Sequence, residues 1–222
     1  MTLEFLVLVL PIVFIGTSIF HESSKSTSIA TNKRVDVEFF VMSKCRDAMI
    51  CEILFIPSLL KLSSIINFTL SFIAREPEKN EFECLFGARE CTGNKQQLCV
   101  QNMYSFSTFL QYLQCQTETY RTIPDNGEQC ANETSNNLIK WSDVELCVTS
   151  EKSNELFHNS LKQTRLASAR KSCTIHLNKE SWCIHDGSWK NCTEGHDEIS
   201  FIKAICSRYN GTDKPIECET LI

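Results

Sequence analysis

Thirteen cysteines lie between Cys45 and Cys218, and no other feature restricts so strongly what this chain can fold into. Cysteine at that density belongs to a protein that matures in an oxidising compartment and is stapled by disulfides. The count is odd, so any monomer keeps at least one unpaired thiol, and in a secretory protein that thiol needs a chemical reason. Zinc does not supply it. No C-x2-C pair occurs, and the nearest mixed cluster, Cys183, His185, Cys192 and His196, straddles a glycine turn. A formal charge of −5 without a basic run argues against a nucleic-acid partner. No phosphate-binding loop, G-x-S-x-G or H-E-x-x-H is present, and no cofactor is expected.

The start of the chain, 1–20, carries an apolar run from Phe5 to about Ile15, followed by Gly16, Thr17 and Ser18. This fits a signal peptide; an uncleaved signal anchor, which would tie the protein to a membrane, is the competing reading. Residues 21–34 read as a flexible, Ser/Thr-rich linker. Sequons at Asn67, Asn132, Asn191 and Asn210 agree with passage through the secretory lumen.

Val35 to Met42 alternates as a strand, with Val35, Val37, Phe39 and Val41 on one face. A helix after Cys45 is predicted to run to about Leu62, with Ile50, Ile53, Leu54 and Ile56 on its buried face and Pro57 as its brake. Ile65 to Ala74 is a second strand, so the order is that of a parallel βαβ unit. Charged residues 75–83 break the pattern. Polar, cysteine-bearing helical segments then fill an insertion at about 84–171. Tyr104, Phe106, Phe109, Leu110 and Leu113 mark one helix; Leu138, Trp141, Val144 and Leu146 mark another; 156–169 is a third. Strands at 173–177 and 181–185, a turn at Asp186-Gly187, a returning strand at 189–192 and a helix at 199–209 complete a βαβ, insertion, ββα order.

Cys45 stands where the first strand gives way to the first helix. Unpaired N–H groups at a helix start, with the cations of Lys44 and Arg46, lower the cost of a thiolate; Asp47 opposes them. A thiol so placed suits thiol–disulfide exchange.

With this element order, a cysteine at the first strand–helix junction resembles the thioredoxin fold. The expected fold class is thus α/β (α+β), a thioredoxin-like core over 35–218 with a disulfide-stapled helical insertion. Cys84, Gly87, Glu90, Cys91, Asn94 and Cys99 stand at the spacings of C-Q-H-G-x-x-E-C-x-x-N-x-x-x-x-C, with Leu85 and Phe86 at the two departing positions. The chain is similar in this to the gamma-interferon-inducible lysosomal thiol reductase (GILT) family. That resemblance implies reduction of protein disulfides through a mixed disulfide, with a small thiol or a protein as reductant.

Cys45 matches the first cysteine of the family's C-x-x-C, but Ala48 fills the second position and the next cysteine is Cys51. Helical residues six apart are displaced by about 9 Å along the axis, whereas a disulfide needs Cα atoms within about 7 Å. Cys45 and Cys51 could therefore bond only if the chain before Met49 curls back. Cys173 falls about where the family's cis-proline would stand, so it is expected near Cys45. Cys51 and Cys173 are the two candidates for a resolving thiol. The alternative is a catalytically inactive, disulfide-rich glycoprotein on the same fold. Cys84, Cys91 and Cys99 are expected to act as staples.

Overall fold

The computed structural model describes residues 1, 34–134 and 138–220. Apart from Met1 and Arg34, the expected signal segment or anchor and the linker lie outside these residues. No helix among the described residues is long and apolar enough to cross a membrane.

Strand β1 (Val35–Val41) is followed by helix α1 (Arg46–Lys61) and strand β2 (Ile66–Phe72). A short hairpin, β3 (Arg75–Glu78) and β4 (Glu81–Glu83), leads into five helices: α2 (Ala88–Met103), α3 (Phe106–Glu118), α4 (Gly127–Glu133), α5 (Trp141–Thr149) and α6 (Glu151–Leu166). Strands β5 (Thr174–Leu177), β6 (Glu180–His185) and β7 (Trp189–Lys190) then precede α7 (Glu198–Arg208) and α8 (Ile216–Glu219). The main sheet has the order β2-β1-β5-β6-β7. β1 and β2 are parallel, and the remaining neighbours are antiparallel.

The alternation read in β1 is real: Val35, Val37, Phe39 and Val41 are all buried. Phe39 meets Phe55 of α1 and Phe201 of α7 edge-on, and Phe55 also packs on Trp182 of β6. These rings cement α1 and α7 to one face of the sheet, each adding to its area term a geometric preference of about 0.5–1.5 kcal/mol. At the sheet's β2 edge, the free backbone groups are taken up by side chains. Leu70 exchanges hydrogen bonds with the amide of Gln101, while Phe72 donates to Ser160 Oγ and accepts from the Thr164 hydroxyl. Helices α2 and α6 thereby close an edge that would otherwise be open to pairing.

Several expectations need correcting. Pro57 lies inside α1 rather than at its end. The hydrogen bond that it deletes would have gone to the carbonyl of Ile53, and Ile53 is exposed, on the solvent side of the helix. The buried face of α1 is instead Ala48, Cys51, Glu52, Phe55, Ile56 and Leu59. Leu138, Leu146 and Ile199 are also exposed, so the faces drawn through them were rotated. Tyr104 ends α2 and does not open the next helix. The charged stretch 75–83 forms the β3–β4 hairpin, its Arg75 and Glu83 joined by an ion pair.

Candidate active site

Cys45 is the residue immediately before α1, in extended conformation, and its side chain caps no backbone group of the helix. Its thiol points instead to the carbonyl of Ser172, with Sγ and O 3.7 Å apart. Cys45 is the one cysteine of the thirteen without a bridge, and only 7% of it is exposed. The other twelve form Cys51–Cys173, Cys84–Cys91, Cys99–Cys147, Cys115–Cys130, Cys183–Cys192 and Cys206–Cys218.

The turn that carries Cys45 is fastened from three sides. Met42 N–H donates to the Ser172 hydroxyl at 2.9 Å, from the segment entering β5. Ser43 N–H donates to Asn94 Oδ1 at 3.1 Å, from α2. Lys44 Nζ donates to the carbonyls of Arg121 and Ile123, at 2.7 and 2.5 Å. Lys44 therefore spends its charge on the 121–123 backbone, while Arg46 faces solvent. Burial and the nearby Arg89 both lower the Lys44 ammonium from the ordinary lysine range.

The six-position signature serves this turn. Glu90 is buried and its Oε2 accepts from the N–H of Phe86 at 2.7 Å, which shapes the loop that Cys84–Cys91 closes. Asn94 is the residue that holds Ser43. Gly93 lets α2 come this close: a Cβ there would collide with Ile123 and Ser43 Oγ. Gly87 takes φ +81°, a left-handed conformation in which glycine is relaxed. None of these residues offers chemistry of its own to the thiol.

Cys51 and Cys173 are joined to each other, with Cα atoms 6.4 Å apart, and both are fully buried. Cys173 follows Ser172 through a cis peptide bond, at the position matched to the family's cis-proline. The structure thus brings Cys173 next to the residue that Cys45 contacts, and pairs it with Cys51 rather than with Cys45. Beyond Cys51, Glu52 is buried between α1 and α3; its Oε2 accepts from the Thr117 hydroxyl at 2.6 Å and its Oε1 has no hydrogen-bond partner among the described residues. Burial pushes this carboxyl up to about 7.

Two further residues border the site. Asp47, in the first turn of α1, accepts from Gly187 N–H at 3.0 Å and lies 2.6 Å from Nδ1 of the buried His185. Asp47 was legible as a charge against the thiolate; its histidine partner, 138 residues away, was not. Along the same helix, Met49, Ile50, Ile53, Leu54 and Pro57 line an open, mostly apolar groove together with Trp189 and Glu198. No group of His, Cys, Asp and Glu that could hold a metal ion occurs among the described residues. The side chains of Asn67, Asn132, Asn191 and Asn210 are all exposed.

A parallel β1–α1–β2 unit continued by antiparallel strands, with a free cysteine at the head of α1, defines a thioredoxin-like fold. Solved structures agree on the fold. The reduced DsbA from Mycobacterium tuberculosis superposes with a TM-score of 0.58 at 13% identity, over 87% of this chain and 90% of that one. The reduced disulfide bond oxidoreductase DsbG from the same organism gives 0.55 at 14%, over 84% and 82%. The oxidised BdbD from Bacillus subtilis gives 0.54 at 13%, over 80% and 88%. No curated protein matches the chain. Residues 36–134 match the model of the family described as gamma interferon inducible lysosomal thiol reductase (GILT), so that segment of the chain is similar to this family. The match takes in Cys45, Cys51 and the whole signature and stops short of Cys173.

Proposed function

We propose that the protein is a thiol–disulfide oxidoreductase that acts on protein disulfides in an oxidising lumen, with Cys45 as its nucleophile. The carrying observation is that one thiol, at the start of α1, is left free while twelve cysteines are bridged. The Cys45 thiolate attacks one sulfur of a substrate disulfide; a Cys45–substrate bond forms, the substrate S–S bond breaks, and the leaving sulfur takes up a proton. A second thiol then attacks Cys45 Sγ and releases the other substrate sulfur.

In the state described here, Cys51 and Cys173 are bonded to each other, so that second thiol is external, from a small thiol or a protein. Two external thiols in all leave as a disulfide and the substrate gains two thiols, which balances the electrons. Cys173 becomes a resolving thiol only after its bridge to Cys51 has been reduced. Six bridges and four exposed sequon asparagines support a lumenal, glycosylated protein, lysosomal, vacuolar or secreted.

The burial of Cys45 favours a second reading, a disulfide-rich glycoprotein with no turnover of its own. Insulin reduction by a small thiol, followed from pH 4 to 7.5, separates the two. Wild type accelerates the reaction and Cys45→Ser does not if the enzyme reading holds. Equal inertness of both establishes the second.

A further inference from the structure

We propose that His185 is a positioning residue for Cys45, holding the Asp47 carboxylate in the first turn of α1 and offsetting its charge near the thiol. The inference rests on Cys45 being the reactive thiol, as proposed above. His185 is 7% exposed and its Nδ1 lies 2.6 Å from Asp47 Oδ1. Its backbone exchanges two hydrogen bonds with Cys173: Cys173 N–H donates to the His185 carbonyl at 3.0 Å, and His185 N–H donates to the Cys173 carbonyl at 2.9 Å. One residue therefore grips both walls of the site, the α1 start through its side chain and the entry to β5 through its backbone.

The electrostatic consequence follows from signs alone. Asp47 sits two residues beyond Cys45, and its carboxylate opposes a second negative charge nearby. With His185 protonated, the pair sums to zero and the N–H groups of the α1 start act on the thiolate unopposed. With His185 neutral, the pair carries −1. Histidine is the side chain type whose charge can change between pH 5 and 8, so reactivity read across that range tests the offset. The other charges near the pair are Lys44, held on the 121–123 backbone, Arg46, which faces solvent beside Asp47, and those around the following turn. Asp186 is bridged by Lys171 and Lys190; His196 stacks on Trp189, whose ring meets His185 edge-on.

The test uses the full chain and iodoacetamide, with Cys45→Ser as blank, and reads the alkylation rate from pH 4.5 to 8. His185→Asn should slow alkylation about three- to tenfold at pH 5 and leave it unchanged at pH 8. Asp47→Asn should quicken it severalfold throughout. Parallel profiles for wild type and His185→Asn would mean that the histidine only packs, and would overturn the proposal. So would a wild-type thiol that never reacts. Should His185→Asn not fold, an Asp47→Asn profile identical to wild type overturns it equally. The predicted alkylation pattern without insulin reduction would leave this inference standing and reject the enzymatic reading.

Discussion

Glu52 is the residue whose cost is easiest to state. A buried carboxyl with one oxygen unpartnered is held protonated up to about pH 7, whereas in the unfolded chain it ionises near 4.3. Between those values the folded protein binds a proton that the unfolded chain has released. The resulting stability is present in acid and lost as pH rises through about 7. Glu52→Gln should therefore change the urea midpoint little at pH 4.5 and raise stability at pH 7.5 by up to about 3 kcal/mol. An unaltered pH dependence would place its origin elsewhere. His176 works the other way: burial lowers its imidazole, so its contribution is lost as pH falls through the ordinary histidine range. The two opposite slopes make the single variant more informative than the wild-type curve.

At the scale of elements, α1 and α2 carry separate duties. The inner face of α1 builds the core, and its outer row, Met49, Ile53 and Pro57, repeats every four residues and lines the groove. Under the oxidoreductase reading proposed above, this groove, on the helix that Cys45 precedes, is the surface expected to receive a substrate chain. Ile53→Glu should raise KM for insulin about three- to tenfold with kcat within twofold, since burying one aliphatic side chain is worth about 1.5–3 kcal/mol at most. A fall in kcat at constant KM would remove the groove from substrate binding. Helix α2 in turn must approach the Cys45 turn closely. Gly93→Ala places a methyl group against Ile123 and Ser43 and should cost about 1–3 kcal/mol. A calorimetric melt checks this, and a second consequence is loosening of the Ser43–Asn94 bond, visible as faster amide exchange at Ser43.

For the whole molecule, the Cys51–Cys173 bridge is the longest-range staple, closing 122 residues of sequence separation. Replacing both cysteines by alanine should cost about 2–5 kcal/mol, read from urea unfolding. The same variant also tests how the mixed disulfide is released. Retained turnover with a small thiol means that release is external, and lost turnover in a folded variant assigns it to the Cys51–Cys173 pair. How far the sequence anticipates this molecule depends on the range of the forces. Alternation in 35–41 and the strand-to-helix break at Cys45 are local, and the βαβ start was readable from them. So was the six-position spacing that resembles the family. The rotation of α1 was not, because burial of Ile53 against burial of Glu52 is decided by α3 and by Thr117, which no local period encodes. The 75–83 hairpin was hidden for a similar reason, since its charges pair across strands. Within the site, Cys45 was visible, while its Ser172 contact, the Cys51–Cys173 pairing and the Asp47–His185 contact join segments more than a hundred residues apart.

The amide of Asn94 on Ser43 carries a practical corollary for anyone hoping to pare this chain down to a minimal scaffold. Excising the helices between β4 and β5 would spare every strand of the main sheet, yet Ser43 would lose its acceptor and Lys44 the carbonyls that hold it. The sulfur would survive in a truncated protein, and the mount that aims it would be gone.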